Sequence, residues 1–159
     1  MKGSSREATL EHKRVVCSIL NDFIIELMNR GMVHDNAKLE DPEVSLFDTY
    51  TPKLANCVYG SEEYQGFLTA LKPALDHHYA HYRHHPEHFK NGCADMNILD
   101  LVEMIADWKA ATLRHNDGNI LKSLEHNRTR FNLDSVSLYD ILVNSVELLE
   151  KHNLLNEPR

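Results

Sequence analysis

Apolar residues in this chain recur at three- and four-residue steps, with no convincing run that alternates at every second position. That period matches 3.6 residues per turn and excludes a half-buried sheet as the organising element. Val15, Val16, Ile19, Leu20, Phe23, Ile24, Leu27 and Met28 share one face of a first helix, expected from about Arg6 to Asn29 with Gly31 as its stop. Asp41-Pro42-Glu43 reads as a second helix start, with Asp41 as N-cap, and Thr51-Pro52 as its interruption. A third helix begins at Gly60-Ser61-Glu62-Glu63, carries Pro73 inside it and runs to about His85, before Pro86. Further helices are expected over Asn97 to His115, Asn119 to Arg130 and Ser135 to His152. The expected fold is therefore all-α: a single bundle-like domain of five to seven helices over 1–159, with 1–5 outside it.

Composition narrows what such a bundle does. With 159 residues the chain can bury its own core. No apolar run approaches the roughly 20 residues of a membrane span, and no apolar stretch follows the basic N-terminus as in a secretion signal. The expected location is the cytoplasm, and no membrane partner is expected. A net charge of −7 argues against bulk nucleic-acid binding, since phosphate backbones select basic surfaces. It leaves room for one nucleotide beside a metal; the oligomeric state is open. Cys17, Cys57 and Cys93 are odd in number and widely spaced, which argues against a disulfide framework and a cysteine zinc site.

Six of the 11 histidines fall within twelve residues: His77, His78, His81, His84, His85 and His88. Imidazole is the commonest protein metal ligand, so a metal site competes here with a solvated, pH-sensitive patch. Six imidazoles cannot all contact one small ion. His34-Asp35 offers an adjacent imidazole and carboxylate after a helix, although a lone Asp there is commonly a cap. His12 sits on the apolar face of the first helix, as a ligand or a hydrogen-bonded core histidine. Asp100, Glu103 and Asp107 line one face of an apolar helix, where a buried carboxylate needs a partner or a metal. Arg83, Arg114, Arg128 and Arg130 are the guanidinium groups available to a phosphate, with Arg128 and Arg130 favoured. Trp108 is placed for core packing or for stacking on a base.

Taken in chain order, His12, His34-Asp35, His78, His84 or His85, and Asp107 form an H…HD…H…H…D series. This resembles the HD-domain metal-dependent phosphohydrolase superfamily, an all-helical fold. His34-Asp35-Asn36-Ala37-Lys38 is similar to its HDxGK signature, with Ala37 in place of glycine. The GYP tripeptide of members that degrade cyclic dinucleotides is absent. The stretches around His84 to Phe89, Met96 to Thr112 and Ser123 to Phe131 also resemble a small family of bacterial and phage HD-like proteins. The resemblance implies a first metal held by His12, His34, Asp35 and Asp107. It implies a second beside it on His78 and His84 or His85, with Asp35 bridging. Lys38 would approach a substrate phosphate, and Glu103 or an unliganded histidine would carry protons. The expected cofactor is one or two divalent transition ions (Fe, Mn, Zn, Co or Ni). The expected activity is hydrolysis of a nucleotide or related small phosphate ester by metal-activated water. A di-iron oxygenase and a non-catalytic binding module stand as alternatives.

Overall fold

The computed structural model describes residues 4–58, 61–113, 118–131 and the single positions 133, 139 and 143. Among the described residues the continuous elements are five α-helices and three short 3₁₀ turns, with no strand. The fold is all-α, as the periodicity requires. The helix expected over Ser135 to His152 lies outside the described residues, apart from Tyr139 and Val143. No helix among the described residues is long and apolar enough to cross a membrane. One domain is expected over 1–159; the contacts divide the chain into two compact units, Met1–His34 and Asp35–Arg159.

The first unit is one helix, α1, Ser5–Val33. Ser4 and Ser5, expected outside the fold, cap and open it. Ser4 Oγ accepts from the Glu7 backbone N–H at 3.3 Å, and a Glu7 carboxylate oxygen accepts from the Ser4 N–H at 2.8 Å. Gly31 does not stop α1, which runs on to Val33. None of its residues is buried: Val15, Val16, Ile19, Leu20, Phe23 and Ile24 are all exposed. The expectation of an inward stripe is corrected for this unit, because a single helix has no second element on which to bury its own apolar face.

In the second unit α2 (Glu43–Asn56) packs on α3 (Glu62–His81). Asp41 is not the N-cap of α2. Pro42 holds that position, and the Asp41 carboxylate accepts the Ser45 hydroxyl instead. Pro52 does not interrupt α2. It lies at an exposed position, where solvent can replace the lost backbone donor, and packing on α3 carries the helix past it. α3 starts as expected, with the Ser61 hydroxyl accepting from the Tyr64 N–H at 3.1 Å.

α4 (Ile98–Thr112) opens on a capping box. Asn97 Oδ1 accepts the N–H groups of Leu99 and Asp100, and Asp100 Oδ2 accepts the Asn97 N–H. α5 spans Ile120–Arg130. Between them Gly118 passes so close to the end of α4 that a Cβ there would overlap the Thr112 carbonyl, so only glycine fits. The core joins Cys93, Met104, Ile105, Ile120, Leu124 and Leu133, with Trp108 and Phe131 packed against it.

Leu124 is fully buried and Leu121, on the same helix, is 40% exposed. Leu124→Ala is expected to cost about 2–5 kcal/mol in urea denaturation, and Leu121→Ala within about 0.5 kcal/mol. Equal losses would contradict this placement of the core.

Candidate metal centre

The site begins with a backbone turn. α1 ends at Val33 with His34 as its C-cap, and Asp35 takes left-handed φ 58°, ψ 15°. Aspartate is among the few non-glycine residues that adopt this region readily. A 3₁₀ turn, Asn36–Leu39, follows, closed by the Lys38 N–H on the Asp35 carbonyl at 2.8 Å. Two further bonds hold the turn. The Ala37 N–H donates to the Tyr82 hydroxyl at 2.6 Å, and Lys38 Nζ donates to Asp35 Oδ2 at 2.7 Å. Asp35 Oδ1 then faces two imidazoles, His78 Nε2 at 3.1 Å and His84 Nε2 at 3.5 Å.

These histidines do not share a helix. α3 ends at His81, and the Tyr82 N–H closes back on the His78 carbonyl. The expected helical run to His85 is therefore corrected. Pro86 disfavours helical backbone at His85, which is extended (φ −98°, ψ 125°), and the helix has already unwound four residues earlier. The released segment turns His84 and His85 back towards the last turn of α3, placing His85 Nε2 2.9 Å from His78 Nε2. His88 Nδ1 lies 2.8 Å from the Tyr79 carbonyl and ties the following 3₁₀ turn to α3.

Carboxylates back three of the imidazoles. Glu43, the first residue of α2, is 0% exposed. Its Oε1 lies 2.7 Å from His77 Nδ1 and its Oε2 2.9 Å from His78 Nδ1. Glu103, on α4, brings Oε1 to 3.1 Å from His84 Nδ1. His78 and His84 are each about 1% exposed, so both rings are held on two sides inside the protein.

One donor atom each from Asp35, His78, His84 and His85 lies within 4.8 Å of the other three. Asp107 comes within the same distance of Asp35. This His/Asp set is a cluster within metal-binding distance, and three imidazoles with a carboxylate fit a borderline transition ion better than Ca²⁺ or Mg²⁺.

Burial alone would raise the Asp35 carboxyl. The hydrogen bonds from His78, His84 and Lys38, with the Lys38 charge, outweigh it and hold the group far below the usual carboxylate range. His85 is pushed down to about 3, first by burial and then by the charges of His84 and His78.

His12 is exposed on α1, not on a buried face. His34 caps α1 and is half-buried. Arg83 does not stand free for a phosphate. Its guanidinium makes a two-pronged pair with buried Asp100 (3.1 and 2.8 Å) and lies over the Phe89 ring, so both serve the α4 N-terminus. Arg130 pairs with Glu87 at 2.8 Å and stacks on Phe131. Arg128 pairs with Glu125 at 3.6 Å and stacks on Tyr139. Both favoured arginines are thus engaged with side chains. Arg114 lies outside the described residues. Trp108 packs on the core beside Phe131 and borders a groove of about 450 Å³ with Lys122 and His126, which contains none of the clustered ligands. The three cysteines are free.

Two residues of the site carry no local signal in the sequence. An acid at a helix start has an ordinary dipole explanation, so nothing marks Glu43 as buried. Nothing local marks Tyr82 as the partner of a turn 45 residues earlier.

The chain matches the model of a family of unknown function, DUF5662, over residues 1–151, and it belongs to that family. No curated protein and no solved structure matches it.

The sign of the His85 shift gives a pH dependence. Its folded value lies below the ordinary 6.5, so the unfolded chain binds the proton more readily. In metal-free protein this adds no penalty above pH 6.5 and a growing one as pH falls towards 3. Asp35 stabilises the fold above its ordinary 3.8 and loses that contribution only below it. Between these values His85→Gln should flatten the fall in stability seen by urea denaturation in EDTA. An unchanged slope would count against a buried, neutral His85.

Proposed function

We propose that this protein is a metal-dependent phosphohydrolase of the HD type, acting on a nucleotide or related small phosphate ester. The observation that carries this reading is the convergence of Asp35, His78, His84 and His85, with Asp107 beside Asp35. The fit rests on the donors' chemistry: imidazoles and a carboxylate, supplied by a fixed turn, a helix end and a folded-back loop. Asp107 would extend the donor set on the Asp35 side. The support comes from residues of the second unit.

A divalent ion at such a centre acidifies water towards neutrality and offsets negative charge on a phosphoryl group. The chain's own groups supply the rest. Lys38, already at the Asp35 carboxylate, sets an ammonium at the rim of the cluster, where a phosphoryl oxygen could be met. Glu103, 12% exposed and against His84 Nδ1, is the carboxylate that would orient that ring as a ligand. Tyr82 keeps the turn in register.

The test is phosphate release from a panel of nucleotides and small phosphate esters, with Mn²⁺, Fe²⁺, Co²⁺, Ni²⁺ or Zn²⁺ supplied singly. Wild type should turn over at least one compound with one ion. Asp35→Asn, which keeps the left-handed turn accessible, should lose both metal and turnover. Lys38→Met should keep metal and lose rate. Uptake of oxygen with Fe²⁺ in place of phosphate release would overturn the hydrolase reading in favour of an oxygenase. Bound metal with neither activity would favour a binding module.

A further inference from the structure

We infer that Glu43 is a positioning residue for the metal centre, fixing the His78 ring so that Nε2, and not Nδ1, is presented to the cation. The inference rests on the metal-binding part of the function proposed above and is independent of the substrate.

A carboxylate with no exposure is strongly disfavoured unless its oxygens are matched by donors. Glu43 has two: His77 Nδ1 at Oε1 (2.7 Å) and His78 Nδ1 at Oε2 (2.9 Å). An ionised carboxylate only accepts, so both Nδ1 atoms must carry hydrogen. With a cation bound, hydrogen held on Nδ1 leaves the Nε2 lone pair as the donor. That atom faces Asp35 Oδ1 at 3.1 Å and His85 Nε2 at 2.9 Å, the side on which the donor atoms converge.

Three features suit Glu43 to this role. As the first residue of the 14-residue α2, it sits where the helix dipole favours negative charge. His77 occupies its other oxygen, so the carboxylate has little freedom to rotate. The packing of α2 on α3 then transmits that position to the helix end that carries His78. A carboxylate behind an imidazole also strengthens the ring as a ligand.

The experiment compares wild type, Glu43→Gln, His78→Ala and the double variant in Co²⁺ binding, by competition with a chelator and by the visible spectrum. Circular dichroism and metal-free melting establish that each is folded. Glu43→Gln should keep Co²⁺ stoichiometry and weaken affinity by roughly 10- to 100-fold. In the His78→Ala background the same change should have no further effect, an outcome that a general loss of packing would not produce. Ring ¹⁵N spectra of Zn²⁺-loaded wild type give a readout that needs no variant: Nδ1 of His78 should carry hydrogen and Nε2 should be the metal-bound nitrogen.

A folded Glu43→Gln with wild-type affinity, equal losses in both backgrounds, or Zn²⁺ held at Nδ1 of His78 would overturn the inference and leave metal binding standing. Wild type that takes up no Co²⁺ would overturn both.

Discussion

The site depends on a buried relay: Glu43 against His78 Nδ1, and His78 Nε2 against Asp35 Oδ1. A carboxylate, an imidazole and a second carboxylate join three segments, the start of α2, the end of α3 and the turn after α1. Each carboxylate would be costly if buried alone. Glu43 is matched by two imidazoles, and Asp35 by Lys38 and two more. Mutual contacts therefore hold the polar cluster together, and disturbing one member takes a partner from the others.

The geometry follows from ending a helix early. Along a continuous helix, His77, His81, His84 and His88 would be strung over about three turns, too far apart to meet at one ion. Unwinding after His81 removes that separation. His78 stays fixed by α3, while His84 and His85 return towards it on non-helical backbone. The segment is secured by His88 on the Tyr79 carbonyl and by Arg83 on Asp100. Arg83 and Asp100 are thus structural: they join the returning loop to the N-terminus of α4, from which Glu103 reaches His84.

The acidic face of α4 shows how one pattern separates into distinct roles. Asp100 completes a capping box and holds Arg83, Glu103 backs His84, and Asp107 lies beside Asp35. Spacing by three and four residues puts all three on one face, but depth along the helix decides which neighbour each meets. The same limit applies to the arginines. Composition makes them available to a phosphate, whereas local aromatic rings and acids determine what they touch.

Much of the secondary structure was legible in the sequence because apolar period, Ser61, Asn97 and Pro86 act over a few residues. The all-α class, the starts of α3 and α4 and the extent of α5 follow from such signals. The His34-Asp35 turn and the dense histidines likewise marked where metal chemistry could lie. What only the tertiary structure decided was which groups meet. Pro52 yields to the packing of α2, α3 unwinds before Pro86 requires it, and Glu43 and Tyr82 reach partners 35 and 45 residues away. The apolar face of α1 obeys the helical period and is still exposed in its unit. The physical reason is common to these cases: local sequence sets backbone preference and the face a side chain occupies, whereas burial, ion pairing and ligand convergence depend on which distant surface is brought against it.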